Sequence, residues 1–178
     1  MRSFFCYALS LVLCFPIFAQ DQTWKVKSGK ITFKSETELE SIWGKGEAVS
    51  GQFNPISKKI HIEIELDGIK TDNKLQTSHL HENYFETNLY PIASFDGIVS
   101  ETKETGEVEA IGTLELHGVR QGQVKLTGKV EKTKEGVEQI SYFSIKLSDY
   151  KIQVPKLLFL KINPIIQVKL NLIWETPK

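Results

Sequence analysis

Residues 74–97 read KLQTSHLHENYFETNLYPIASFDG and interrupt a chain that is otherwise strand-like. On both sides of this stretch, apolar residues recur at every second position, as expected for strands with one buried face. The stretch itself is rich in His, Asn and aromatic residues, and Pro91 drives the preceding Tyr90 into an extended conformation. We therefore predict a short helix over residues 74–83, with Asp72 or Asn73 as its N-cap, laid across the end of a β-sheet.

The flanking strands are predicted from their period of two. The clearest of them alternates Ile60, Ile62, Ile64 and Leu66 with His61, Glu63, Glu65 and Asp67. The same alternation predicts strands within residues 107–116, 124–131, 143–147 and 166–174. A further alternating pattern begins with Trp24 and Val26. Residues 37–43 are compatible with either one helical turn or a twisted strand, after which Phe53-Asn54-Pro55 closes a strand.

The connections between strands predict an antiparallel sheet. Residues 103–106 (KETG) and 133–136 (TKEG) are short, polar connections that end in Gly. This composition suits hairpins built on a type I turn with a left-handed glycine. About eight such strands without a long helix to cover them must pair as a sandwich or close on themselves. Closure removes the exposed sheet edges, so we predict a barrel.

Three small residues lie on the predicted inward face, namely Ala110, Gly112 and Gly128. Small side chains at mid-strand accommodate the curvature of a barrel. They also leave space in the interior, and eight-stranded barrels have the size at which side chains either fill the interior or leave room for one small ligand. The sequence leaves both readings open.

The N-terminus has the features of a secretory signal peptide. Arg2 supplies a positive charge, residues 4–18 are almost uninterruptedly apolar, and a cleavage site follows Ala19. The run is shorter than the roughly 20 apolar residues of a membrane span. Both cysteines, Cys6 and Cys14, fall inside it. Lipidation at Cys14 is disfavoured because Leu13 precedes it, where a small residue is usual.

Cleavage would leave one domain, residues 20–178, without cysteine. The whole chain has 22 basic and 22 acidic residues, and removal of Arg2 leaves 21 basic residues against 22 acidic ones. A net charge of about −1 provides no basic surface for nucleic acid. A domain of this size buries a core without a metal or a disulfide.

The candidate catalytic and metal-binding residues are few. His79 and His81 would point about 200° apart on a helix, so they cannot share a metal ion, and no zinc motif, nucleophile elbow, phosphate loop or dinucleotide fingerprint occurs. Neither a metal nor a cofactor is predicted. An enzyme acting on a small or lipid substrate through His79, His117 and a nearby carboxylate is the alternative hypothesis, and it requires at least one of these groups to lie in a cleft with a perturbed pKa.

Two further features have a structural and a functional interpretation. Arg120 is either a solvated turn residue or a rim residue whose guanidinium binds a phosphate or carbonyl head group. The run PKLLFLKINP, residues 155–164, does not alternate. It either packs into the barrel end as core, or forms a portal that touches a membrane while lipid is loaded, with Lys156 and Lys161 at the head groups.

Several separated stretches resemble the YceI-like family of small secreted barrels. They are SGKITF (28–33), VSGQFN (49–54), HLHENYFET (79–87), YPIASF (90–95), GTLELHGV (112–119) and FSIKLSDYKIQVPKLLF (143–159). The resemblance implies a lipocalin-like antiparallel barrel with a short helical crossover, a periplasmic location and, in some members, an isoprenoid or quinone-type lipid in an apolar tunnel. Dimers also occur in the family. Residues 120–122, Arg-Gln-Gly, depart from the Lys and Pro that members often have there.

Together these observations predict a periplasmic carrier of an isoprenoid or other long-chain lipid. Each buried CH₂ group contributes about 0.8 kcal/mol, so two or three isoprene units suffice for micromolar affinity, about −8 kcal/mol. The predicted ligand-binding residues are Phe33, Phe53, Ile64, Phe85, Phe95, Leu114 and Phe143, with Arg120 at the head group. The predicted partners are the lipid, a membrane touched transiently, and a second copy of the chain, but not nucleic acid.

Overall fold

The computed structural model describes residues 22–38, 40–100, 102–154 and 162–177. The predicted signal peptide with Cys6 and Cys14, and the apolar run at residues 157–160, lie outside the described residues, as do Lys156 and Lys161. None of the helices within the described ranges is long and apolar enough to cross a membrane.

The alternating segments form antiparallel β-strands. In chain order they are β1 (Trp24–Glu36), β2 (Ser41–Gly46), β3 (Val49–Phe53), β4 (Lys59–Glu65), β5 (Lys70–Thr71), β6 (Ile92–Val99), β7 (Glu107–Leu116), β8 (Val119–Lys132), β9 (Val137–Lys146) and β10 (Ile165–Glu175). The ambiguous residues 37–43 therefore end in a strand, since β2 begins at Ser41.

Eight strand positions close into a barrel. Strand β1 pairs with β10 on one side and with β2 and β3 on the other. The pairs Ile31↔Gly46 and Trp24↔Phe53 share one register, so β2 and β3 form a single strand interrupted at residues 47–48. Hydrogen bonding continues from β3 through β4, β6, β7, β8 and β9 back to β10. The predicted all-β fold, an antiparallel eight-stranded lipocalin-like barrel with a short helical crossover, is confirmed.

The period of two correctly predicts which face of each strand is buried. On β10 the inward set Ile166, Val168, Leu170, Leu172 and Trp174 is buried, while the residues between them are more exposed. On β4 the inward residues Ile60, Ile62 and Ile64 are likewise buried. This alternation places one continuous apolar set inside the barrel and one polar set in water.

The inward glycines serve close approach between strands. A Cβ atom on Gly112 would collide with the carbonyl oxygen of Asp96, and one on Gly128 with that of Ile140. Because backbone cannot move aside as a flexible side chain can, these positions exclude any larger residue. Of the two interpretations of the small inward residues, the structure supports curvature and close strand packing at both glycines.

The hairpin turns match the prediction in one of two cases. Gly106 before β7 has a φ of 78°, in the left-handed region that was predicted. Gly136 before β9 has a φ of 145°, so that turn differs, and it is closed by the Thr133 N–H donating to the Gly136 carbonyl at 2.8 Å. A two-residue turn at His117 and Gly118, with φ values of 53° and 67°, joins β7 to β8. Two positive values are typical of a type I′ hairpin.

The crossover, residues 74–90, begins with helix α1 (Lys74–His79). Of the two candidate N-caps, Asn73 is the one observed, because its side-chain oxygen accepts from the N–H of Leu75 at 2.8 Å and of Gln76 at 3.3 Å. The helix continues as a π-helical turn over Leu80–Phe85, which ends at Glu86 in a left-handed conformation. The α-helical part is therefore shorter than the predicted 74–83.

Candidate functional site: an apolar cavity under the crossover

The barrel is hollow at the end that carries the crossover. A cavity of about 230 Å³, measured as the volume open to the centre of a water-sized sphere, lies between α1 and the strands. Its described lining is Ile31, Phe33, Ser35, Ile42, Ile64, Leu66, Ile69, Thr71, Gln76, His79, Leu80, Asn83, Tyr84, Phe85, Ala93, Leu114, Leu116, Phe143, Ile145, Leu147, Ile152, Ile162, Ile166 and Val168. Such a lining, apolar with a few polar groups, is typical of a site for an apolar ligand.

The other half of the barrel is filled by its own side chains. Ile62 on β4 and Leu170 on β10 are the next inward residues after the lining residues Ile64 and Val168, and Leu172 follows Leu170. All three are at most 2 % exposed. Beyond them, Phe53 contacts Trp24 at 5.6 Å and Trp174 at 6.3 Å between ring centroids. A second depression at that end, about 390 Å³, shares no lining residue with the cavity. The cavity is therefore blind, with its mouth at the crossover.

The hydrogen-bond pattern explains why the barrel widens at the mouth. Strand β3 pairs with β4, but β2, its continuation, pairs with the two-residue β5 instead. Residues 66–71 thus stand between β2 and β4, and three of them, Leu66, Ile69 and Thr71, line the cavity. The interior is wider here than in the half where Gly112 and Gly128 draw their neighbouring strands together.

Side-chain hydrogen bonds fix the crossover over the cavity at both of its ends. Near its start, Thr77 Oγ1 lies 3.0 Å from Thr71 Oγ1, and the ring of His81 contacts the Ile69 carbonyl through Nε2 at 2.7 Å. Near its end, Glu86 lies 2.6 Å from Nε2 of His117. The crossover therefore covers the mouth with its polar side chains paired. In the described part of the chain, no buried side-chain nitrogen or oxygen lacks a hydrogen-bond partner.

The polar lining residues cluster at the mouth. Gln76, His79 and Asn83 follow one another at intervals of three and four residues, which places them on one face of the crossover. His79 and Asn83 are also exposed to solvent. The cavity thus has an apolar interior and a polar, water-accessible rim.

The structure places the predicted ligand-binding residues in two groups. Phe33, Ile64, Phe85, Leu114 and Phe143 all line the cavity. The other three, Phe53, Phe95 and Arg120, do not line the cavity. That any of these residues binds a ligand stays a prediction.

Phe53, Phe95 and Arg120 are outside the cavity lining. Phe53 lies at the opposite end of the barrel, and Phe95 is buried with its ring over Gly97. Arg120 is 62 % exposed and donates to Glu115 at 2.8 Å, its cross-strand neighbour in the β7–β8 hairpin. This arrangement fits the interpretation of Arg120 as a solvated turn residue.

The four histidines are separate from one another and hydrogen-bonded. Among the described residues, no three His, Cys, Asp or Glu side chains are grouped so that they could hold a metal ion. His117 is 13 % exposed, with Nδ1 donating to the Tyr150 carbonyl at 3.1 Å and Nε2 at Glu86. His117 does not line the cavity, whereas His79 does. The two histidines of the enzyme hypothesis therefore do not share a cleft.

His61 has a raised pKa. It lies on the outer face of β4, with Nδ1 2.7 Å from Asp96 and Nε2 3.3 Å from Glu63. Partial burial alone would lower the pKa of His61, but the hydrogen bonds and charges of these two carboxylates together raise it. Since His61 faces away from the cavity, this cluster is a feature of the barrel's outer surface.

Several lining residues were not predicted from the sequence. Leu80 and Tyr84 come from the π-helical turn, and Ile69, Ile152 and Ile162 come from connections between strands. No alternation marks residues in such segments. Ala93 and Leu116, in contrast, carry a signal, because they lie in phase with inward residues of β6 and β7.

The geometry defines the class of protein first. An antiparallel eight-stranded barrel, filled in one half and hollow in the other, is a small ligand-cavity barrel. Residues 23–173 match the model of the YceI-like domain, so the chain belongs to the YceI-like family. No curated protein matches the sequence.

Solved structures share the fold. A polyisoprenoid binding domain from Saccharophagus degradans is 19 % identical with a TM-score of 0.73, covering 88 % of this chain and 99 % of that one. BcnA from Burkholderia cenocepacia is 15 % identical with a TM-score of 0.68, covering 82 % and 95 %. The YceI protein of Campylobacter jejuni is 21 % identical with a TM-score of 0.61, covering 80 % and 89 %.

Proposed function

We propose that this protein is a secreted binding protein that holds the hydrocarbon chain of an isoprenoid or other long-chain lipid in the cavity under the crossover. The observation that carries the proposal is the blind apolar cavity itself, which buried side chains such as Ile62, Leu170 and Leu172 separate from the opposite end of the barrel. An empty apolar cavity forgoes dispersion contacts, and an alkyl chain restores them. The Saccharophagus relative is described as a polyisoprenoid binding domain, which supports the same class of ligand here.

The depth of the cavity sets how much chain it holds. Several strands contribute two or three inward residues to the lining, for example Phe143, Ile145 and Leu147 on and after β9. At about 3.3 Å per residue this corresponds to a depth of roughly 13 Å along the strand. Two to three isoprene units fill that depth. A longer chain would leave through the mouth, so the head group or the excess chain lies beside the crossover.

We further propose that the protein works in the periplasm. The signal peptide predicted over residues 1–19 supports this location. The proposal predicts that the secreted protein begins at or near Gln20, which N-terminal sequencing of periplasmic material checks. Transient contact with a membrane and a homodimer also stay proposals.

The test fills the cavity with a side chain. Ala93 is 5 % exposed and lines the cavity, so Ala93→Phe places a ring where the ligand's chain would lie. The matched control is Ser94→Phe, which adds a ring to the outer face of the same strand. Equilibrium dialysis with labelled farnesol should show micromolar binding to the wild type and to Ser94→Phe, and at least a tenfold loss in Ala93→Phe.

A folded Ala93→Phe protein that binds farnesol as the wild type does would place the ligand elsewhere. Absence of binding to the wild type, for farnesol and for longer prenols alike, would contradict the proposed function. Circular dichroism spectra and thermal unfolding of all three proteins separate loss of binding from loss of fold.

A further inference from the structure

The polar residues at the mouth carry an inference about the ligand's head group, and this inference rests on the proposed function. The polar side chains of the described lining are Ser35, Thr71, Gln76, His79 and Asn83, together with the hydroxyl group of Tyr84. The described lining contains neither a lysine nor an arginine, and neither an aspartate nor a glutamate. A head group at this rim therefore meets hydrogen-bonding side chains but no lysine, arginine, aspartate or glutamate of the described lining.

Two of these polar side chains are already engaged within the protein. The hydroxyl oxygen of Ser35, which is 3 % exposed, accepts from the Asn163 backbone N–H at 2.9 Å. Thr71 donates its hydroxyl to the Asn73 carbonyl at 2.7 Å and lies 3.0 Å from the Thr77 hydroxyl. These residues hold the strand ends and the crossover together, and they offer little to a ligand.

The pairing of His79 with Asn83 leaves one hydrogen-bond donor and one acceptor available at the rim. The amide nitrogen of Asn83 lies 3.1 Å from Nδ1 of His79. In this orientation the amide nitrogen donates to Nδ1, which places the ring proton on Nε2. That N–H has no hydrogen-bond partner among the described residues, and the Asn83 carbonyl oxygen is likewise left over. If the Asn83 amide is turned over, Nδ1 of His79 donates to the amide oxygen instead. The groups left without a partner among the described residues are then Nε2, an acceptor, and the amide nitrogen, a donor, so the rim still offers one donor and one acceptor.

Gln76 adds a second acceptor one helical turn away. Its amide nitrogen donates to Glu40 Oε1 at 3.2 Å, which turns its carbonyl oxygen away from that contact. Glu40, which is held beside Gln76, also places negative charge at the rim. An anionic head group would lose water here and gain no cation in the described lining, which costs free energy.

We propose that the rim formed by Gln76, His79 and Asn83 selects a lipid with an uncharged, hydrogen-bonding head, such as a hydroxyl or carbonyl, and disfavours a phosphate, pyrophosphate or carboxylate head. The chain enters the apolar interior, and the head oxygen accepts from His79 Nε2 while a hydroxyl hydrogen donates to Asn83 or Gln76. His79 is thereby a specificity-determining residue.

The experiment compares two ligands with one hydrocarbon chain. Farnesol and farnesyl pyrophosphate share fifteen carbons and differ in the head alone. In equilibrium dialysis at physiological ionic strength, we expect the wild type to bind farnesol at least tenfold more tightly than farnesyl pyrophosphate. His79→Phe keeps an aromatic ring but removes the donor, and should weaken farnesol binding roughly fivefold, the effect of one net hydrogen bond. Ser78→Ala, on the exposed neighbouring position, should leave both affinities unchanged.

Equal affinities, or tighter binding of the pyrophosphate, would overturn the inference about the head group and leave the proposed function standing. So would an unchanged farnesol affinity in a folded His79→Phe protein. If neither ligand binds to the wild type, the proposed function fails together with the inference. Farnesyl methyl ether, which accepts but cannot donate, separates the two halves of the contact: it should retain the part that depends on His79.

Discussion

The two halves of this barrel are built from the same strands with the same alternation, yet one is solid and the other hollow. In the filled half, Leu172 is fully buried, and Gly112 and Gly128 let adjacent strands approach closely. In the hollow half, residues 66–71 separate β2 from β4 and the crossover spans the opening. Alternation therefore determines which side chains face inward, while the distance between strands determines whether they meet. The first three predictions below test this difference, from the largest expected effect to the smallest.

Two isoleucines on β4 provide the most direct contrast in stability. Ile62 lies in the filled half and is 2 % exposed, whereas Ile64 lines the cavity two residues later. Ile62→Ala opens a new cavity and should lower the free energy of unfolding by roughly 4 kcal/mol, while Ile64→Ala enlarges an existing space and should cost roughly 2 kcal/mol. Urea unfolding of the ligand-free proteins measures both. Equal losses would mean that the two halves are packed alike.

The glycines of β8 test close strand approach. Gly128→Ala would press a methyl group against the Ile140 carbonyl, and should cost about 1–3 kcal/mol. Gly122 on the same strand has nothing within 4 Å of the added atom, so Gly122→Ala should change the stability by less than about 0.5 kcal/mol. The same urea titrations apply. A tolerated alanine at position 128 would refute the account of why this half is narrow.

The outer face of the filled half should show a small dependence on pH. The carboxylates of Asp96 and Glu63 favour the charged form of His61, whose pKa is raised in the folded state. The interaction of His61 with these carboxylates therefore stabilises the fold at pH values below the unfolded-state pKa of histidine, about 6.5. This contribution disappears as the pH rises through the pKa of His61 in the folded protein. Since the groups are partly exposed, His61→Gln should cost about 0.5 kcal/mol at pH 5.5 and almost nothing at pH 9.

The companion variant Asp96→Asn should show the same pH dependence, and the double variant should lose little more than either single one. A cost for His61→Gln that stays constant between pH 5.5 and 9 would show that the ion pair contributes nothing.

The sequence was sufficient for the barrel and for the inward face of each strand, because a period of two is a local property of the chain. The sequence did not predict how far along the barrel axis each inward side chain lies. Phe53 and Phe95 point inward as predicted, but they lie in the filled half, and only the strand register reveals this. The surface position of Arg120 could have been predicted, since a two-residue turn at His117 and Gly118 places Arg120 opposite Glu115. The π-helical turn that brings Tyr84 to the cavity has no comparable signal.

The most direct test of the central claim, that the hollow half holds one lipid chain, is a native mass spectrum of the protein purified from a periplasmic expression host, beside mass spectrometry of its organic-solvent extract. The account predicts one bound lipid per chain, with an isoprenoid or other long-chain molecule in the extract, and loss of the bound mass in Ala93→Phe but not in Ser94→Phe. Protein that is purified without any bound mass, and that takes up no added prenol or quinone lipid, would contradict it.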